Sequence, residues 1–183
     1  MPRTSFPQSS PLPAYPRWSE TLREHSYVRI RPLNGRDDPV EHEFLEQRCP
    51  RASHFRLLGM ADYPRRRVVD QPGSIAYVNE VAFVAVTPED HRERIVGVSR
   101  YRTDREGLHC ECEVTVNDAW QDKGLAVLLM KHLIEVARAQ GIRQMRSIDP
   151  AADMPMKQLA NDLGFRTRMD PDDVRQVVHE LDL

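Results

Sequence analysis

Nothing in this 183-residue sequence approaches the roughly 18 consecutive apolar residues that a helix needs to cross a bilayer, so no membrane span is expected. The N-terminus, MPRTSFPQSSPLPAYP, lacks the apolar centre of a secretory signal. Cysteine is scarce: Cys49, Cys110 and Cys112 form an odd set without framework spacing. That argues against a disulfide scaffold and leads us to expect reduced thiols in a cytoplasm. His109, Cys110 and Cys112 cluster, but a structural zinc site needs four ligands and no second cluster follows, so no metal is expected. Neither sign of charge dominates, with 26 basic against 28 acidic side chains, which gives no electrostatic case for nucleic acid as a partner.

What the chain does contain suits one domain with one core. Residues 1–14 are rich in Pro and Ser and are expected to be a disordered tail, leaving 15–183 as the folded unit. Trp18–Arg23 and Tyr27–Arg31 read as a hairpin, and helices are expected near Pro39–Leu45 and over Arg51–Leu58. Arg65-Arg66-Arg67 reads as a solvated loop, or else as a clamp for an acidic partner or phosphate. Val78–Val86 is apolar on both sides and so predicts a strand buried on two faces; it pairs through a turn with Arg94–Arg102.

The stretch from Glu111 to Met130 organises the rest. Leu108–Val116 alternates as a strand, a polar turn follows, and Gln121-Asp122-Lys123-Gly124-Leu125-Ala126 opens a helix predicted over about Asp122–Gln140, ending at Gly141. The first amides of a helix have no internal partners, and the helix dipole makes that end attractive to anions. Gly124 carries no Cβ, so a diphosphate can come close to the backbone. Ile142–Ile148 reads as a further strand, Met156–Leu163 as a helix and Phe165–Met169 as the start of a last hairpin. Val174–Leu183 is ambiguous by pattern alone.

The hexapeptide Gln-x-x-Gly-x-Ala, with Asp118-x-Trp120-Gln121 leading in and Leu163-Gly164-Phe165 beyond the next helix, resembles the GNAT superfamily of acetyl-CoA-dependent N-acetyltransferases. Val28–Pro32, Pro50, Arg56, Gly59, Tyr77, Glu80 and Ile95–Tyr101 bring the likeness nearest to the acetyltransferase domain of bacterial Pat-type protein lysine acetyltransferases. The resemblance implies an α/β (α+β) fold. Its mixed, mostly antiparallel sheet would be splayed at the cofactor strand, with helices on both faces and Val174–Leu183 as the closing strand. It implies acetyl-CoA as co-substrate and direct transfer to an amine, a protein lysine in the first instance. The alternatives are a small-molecule amine acceptor or a non-catalytic acyl-CoA-binding regulator.

In this resemblance Val114, Thr115 and Val116 would line the pantetheine arm, and Gln121, Asp122, Lys123, Gly124, Leu125 and Ala126 would cradle the diphosphate. Asp153 and Met156 would also touch the cofactor. Glu111 stands nine residues before Trp120, where the Pat-type pattern carries its catalytic glutamate, with Glu113 and Glu80 in reserve. Three departures stand out. Ala160 replaces the tyrosine that protonates the departing thiolate in many relatives. Asp153 stands where an asparagine is common, and Ala76 where Pat-type sequences carry aspartate.

Overall fold

The computed structural model describes residues 15–34, 37, 41, 44, 80–89 and 92–183. The tail at 1–14, the helix expected at Arg51–Leu58, the arginine run Arg65–Arg67, and Cys49, Pro50, Arg56, Gly59, Ala76 and Tyr77 lie outside them.

Alternating apolar side chains build one sheet of eight strands. These are β1 (Trp18–Thr21), β2 (Tyr27–Pro32), β3 (Glu80–Glu89), β4 (Arg92–Thr103), β5 (His109–Val116), β6 (Gln144–Pro150), β7 (Arg166–Met169) and β8 (Gln176–Asp182). Their order is β1-β2-β3-β4-β5-β6-β8-β7, antiparallel throughout except between β5 and β6. The doubly apolar β3 is buried on both faces as its sequence demands. Val81, Phe83 and Ala85 join the main core, while Ala82, Val84 and Val86 pack with Leu33, Ile95 and Val98 on the other face. Phe44, in helical conformation, packs onto that second cluster.

Two longer helices follow, α1 (Leu125–Ala139) and α2 (Met154–Asp162). A 15-residue helix is marginal in water on its own. Here Leu125, Leu129, Leu133 and Ala137 lie at 1% exposure or less against the sheet, and this burial supplies what propensity does not. Gly97 on β4 lets α1 sit close: a Cβ there would meet Leu129 Cδ1 at 2.9 Å, Leu125 Cδ2 at 3.3 Å and the Thr115 carbonyl oxygen at 3.4 Å.

Several boundaries differ from expectation, three of them beside the parting of the sheet. α1 begins at Leu125, not near Asp122, because Asp122 and Gly124 take left-handed backbone angles (φ 60° and 86°) that no helix contains. β6 begins two residues late, at Gln144, after Gly141 (φ 81°) has turned the chain out of α1. α2 begins two residues early, at Met154, because Asp153 caps it and Pro155 suits its first turn. The closing segment is a strand, as the family pattern required.

Candidate functional site

β5 and β6 share only three register pairs, His109 with Gln144, Cys110 with Met145 and Glu111 with Arg146. Beyond these the strands part. Residues 112–116 continue along β4 alone, leaving one side of their backbone free of a neighbouring strand among the described residues. The narrow opening, continuous with solvent, is lined by Cys112, Glu113 and Val114 from β5, Ser147, Ile148 and Asp149 from β6, and Met156 from α2. Cys112 and Val114 lie on the helix side of the sheet, and Glu111, Glu113 and Thr115 on the other. Both cysteines are buried. Burial pushes the Cys110 thiol up to about 12 and Cys112 well above its ordinary value, so both stay protonated and inert as nucleophiles.

At the foot of the opening the chain makes a short turn before α1. Asn117 caps the one-turn helix Asp118–Trp120 by accepting from Ala119 N–H at 3.0 Å, and Gln121 donates its side-chain N–H to Asp118 at 2.7 Å. Left-handed angles at Asp122 and Gly124, either side of Lys123, give the alternation that turns successive amides into a concave nest for an anion. The first backbone bond of α1 runs from Leu128 N–H to Gly124 O, so the amides of Leu125, Ala126 and Val127 have no acceptor within the helix. A Cβ built on Gly124 would meet nothing within 4 Å, so the cradle is open. Lys123 reaches Glu24 at 3.4 Å and lies 5.3 Å above the Trp120 ring, a short swing from the turn.

The carboxylates foreseen on β5 stand on one face but keep different company. Glu111 pairs with Arg146 at the last register step before the strands separate, and both are partly exposed. Glu113 lies 2.8 Å from Arg100, which also engages Glu41 and, at 3.6 Å, Glu80. Burial works against the Arg100 cation, but these three carboxylates outweigh it and raise its pKa. Glu113 and Glu80 thus share the buried Arg100 guanidinium, and Glu111 is paired with the more exposed Arg146 at the last joined step of β5 and β6. Asp153 caps α2, accepting from Met156 N–H at 2.9 Å through Oδ1. Its Oδ2 is buried and has no hydrogen-bond partner among the described residues. Ala160 is buried in α2 and offers no hydroxyl.

One group at the opening escaped the sequence. Asp149 is 4% exposed, accepts from Ser147 Oγ at 2.7 Å, and has His179 Nε2 3.9 Å away. Burial pushes its carboxyl up to about 6, with Ser147 opposing and Asp153 adding. The signal lay in the alternation of β6, which puts Ser147 and Asp149 on the same inward face as Met145. His132 of α1 is buried, stacked on Trp18 (centroids 4.0 Å apart) and 3.0 Å from Glu20.

Residues 43–165 match the model of the Acetyltransferase (GNAT) family. "Acetyltransferase PA5475" of Pseudomonas aeruginosa is 44% identical over 166 residues, 91% of this chain and 89% of that protein. Among solved structures, the GNAT domain of S. lividans PAT superposes with a TM-score of 0.74 at 24% identity, covering 94% of this chain and all of that one. An acetyltransferase of the GNAT family from Streptococcus pneumoniae gives 0.63 at 15%, covering 85% and 99%. A cAMP-binding acyltransferase from Mycobacterium smegmatis gives 0.61 at 18%, covering 91% of this chain and 47% of that one. With its sheet parted beside an open, anion-ready turn, and with these relatives, the chain belongs to the GNAT family of acetyltransferases.

Proposed function

We propose that this acetyltransferase moves the acetyl group of acetyl-CoA directly onto the side-chain amine of a protein lysine, with both substrates bound at once. The observation that carries the reading is the parting of β5 and β6 directly above the Gly124 turn. The residues present fit the thioester. The nest at Asp122–Gly124 and the unpartnered amides of Leu125 and Ala126 suit the diphosphate, with Gln121 bracing the turn and Lys123 exchanging Glu24 for phosphate oxygens. The edge of Val114, Thr115 and Val116 left open by β6 suits the amides of the pantetheine arm. The orphaned Asp153 Oδ2 wants an N–H donor, and Met156 walls the gap beside it.

Acetyl-CoA supplies the activated acyl group, and the protein must supply a free amine. Presenting a lysine as free amine at pH 7 costs about 4 to 5 kcal/mol from its reference pKa. Glu111, at the last joined step of β5 and β6 on the face away from α1 and α2, is the carboxylate we assign to take that proton, directly or through a water, once it leaves Arg146. The Pat-type motif pattern and the open approach to Glu111 support a macromolecular acceptor.

The test is incubation with labelled acetyl-CoA and a cell lysate, followed by identification of the labelled residues. Label on protein lysines is expected. Label only on small amines would hand the acceptor to that class. In the same assay Glu111→Gln should lower turnover by about 10²-fold or more, with acetyl-CoA affinity by calorimetry almost unchanged. Undiminished turnover would remove Glu111 from the role.

A further inference from the structure

Asp149 is a buried acid with no cation beside it among the described residues, and such a group needs a reason. The charged and titratable neighbours facing it come from every packed element: Glu113 and Cys112 of β5 across the gap, His179 of β8, and Asp153 at the start of α2. Among the described residues none of these brings a positive charge. His179 is wholly buried, donates to or accepts from Thr167 at 2.7 Å, and is held towards its neutral form by burial, with Lys157 adding to the effect. The surroundings therefore lift the carboxyl towards its acid form, up to about 6, and shutting out water would lift it further. The helix that usually brings a hydroxyl to the departing sulfur carries Ala160 instead, yet Met156 of that same helix lines the gap with Asp149.

We propose that Asp149 is the proton donor to the sulfur of the thioester bound between β5 and β6. This rests on the reading of that gap as the acetyl-CoA site. The amine nitrogen bonds to the acyl carbon and the C–S bond breaks with its electron pair going to sulfur. The Asp149 proton passes to that sulfur, giving the CoA thiol and an Asp149 carboxylate. The surplus proton of the amine leaves through Glu111 to solvent, and water restores the Asp149 proton once the thiol has left. The two carboxyls divide the work by environment: Glu111 is exposed and paired with Arg146, whereas Asp149 is enclosed and faces only Ser147 and neutral or acidic neighbours.

The experiment is calorimetry of acetyl-CoA binding near pH 6.5 in buffers of different ionisation enthalpy, on the wild type and on Asp149→Asn. The ligand displaces water from Asp149, so the wild type should take up a substantial fraction of a proton per site and the variant none. Affinity should differ by less than about threefold, and kcat of the variant should fall by about 10²-fold. Ser147→Ala removes the contact that opposes protonation and should move the uptake to higher pH. Should Asp149→Asn fail to fold, the wild-type and Ser147→Ala proton counts decide. Binding without proton uptake by the wild type, or full kcat in Asp149→Asn, overturns the assignment of Asp149 alone. No binding of acetyl-CoA at all overturns the reading of the gap, and the assignment with it.

Discussion

Replacing Asp149 by asparagine should stabilise the protein at neutral pH, even though it removes a hydrogen-bonded side chain. In the folded state the carboxyl is displaced from its ordinary 3.8 to about 6, chiefly by burial. The folded protein therefore holds that proton more tightly than the unfolded chain does. Its contribution to stability is complete below about pH 4, declines as pH rises towards 6 and is lost above. At 1.36 kcal/mol for each pH unit, the ionised group costs about 3 kcal/mol at pH 7. The side chain is only 4% exposed, so solvent screens little of this. An asparagine retains an oxygen for the Ser147 hydroxyl and titrates nowhere. Urea unfolding of both proteins from pH 4 to pH 8 checks this. The variant's advantage should grow by about 2 kcal/mol across the range. Acid-sensitive ion pairs elsewhere cancel in the difference. A gap between the two proteins that stays flat with pH would refute the reasoning, because the burial of Asp149 would then carry no charge penalty. A protein that retains so costly a carboxyl fits a stability-for-activity exchange at this position.

Gly97→Ala should cost about 1 to 3 kcal/mol, since its new methyl meets Leu129, Leu125 and a backbone oxygen in a fully packed layer; thermal unfolding reads this. By lifting α1 from the sheet, the same change should raise KM for acetyl-CoA. Gly124→Ala finds empty space but must hold φ near 86°, so it should cost about 1 to 2 kcal/mol. It should also weaken CoA binding roughly tenfold by putting a methyl over the diphosphate cradle, measured by calorimetry. Arg100→Leu leaves Glu113, Glu41 and Glu80 without their shared cation and should cost about 3 to 5 kcal/mol in denaturant unfolding.

Several features were legible because one local force dominated. The two apolar sides of Val81–Val86 admit no arrangement but a strand covered above and below, and Gly141 ends α1 because it alone there takes φ 81° at no cost. The start of α1 was misjudged because aspartate tolerates left-handed angles without advertising them, and so Asp122 passed for a first-turn residue. The last strand, Gln176–Asp182, was not decided by pattern: Val177, Val178 and His179 are all buried in succession, which suits helix or strand equally. Only the family likeness chose between them. Asp149 went unremarked because alternation reports which side a residue faces, not that the neighbouring strand has moved away and left a slot there.

That three-step parallel seam has a mechanical meaning. The sheet consists of two blades, one of five strands and one of three, stitched along a single short hem. On the proposed reading, a thioester threaded between them would supply rungs that the polypeptide withholds, and so would act as a strut as well as a reactant. Release of the spent thiol would then loosen the smaller blade, and amide exchange along β6 should quicken at that moment more than along β3.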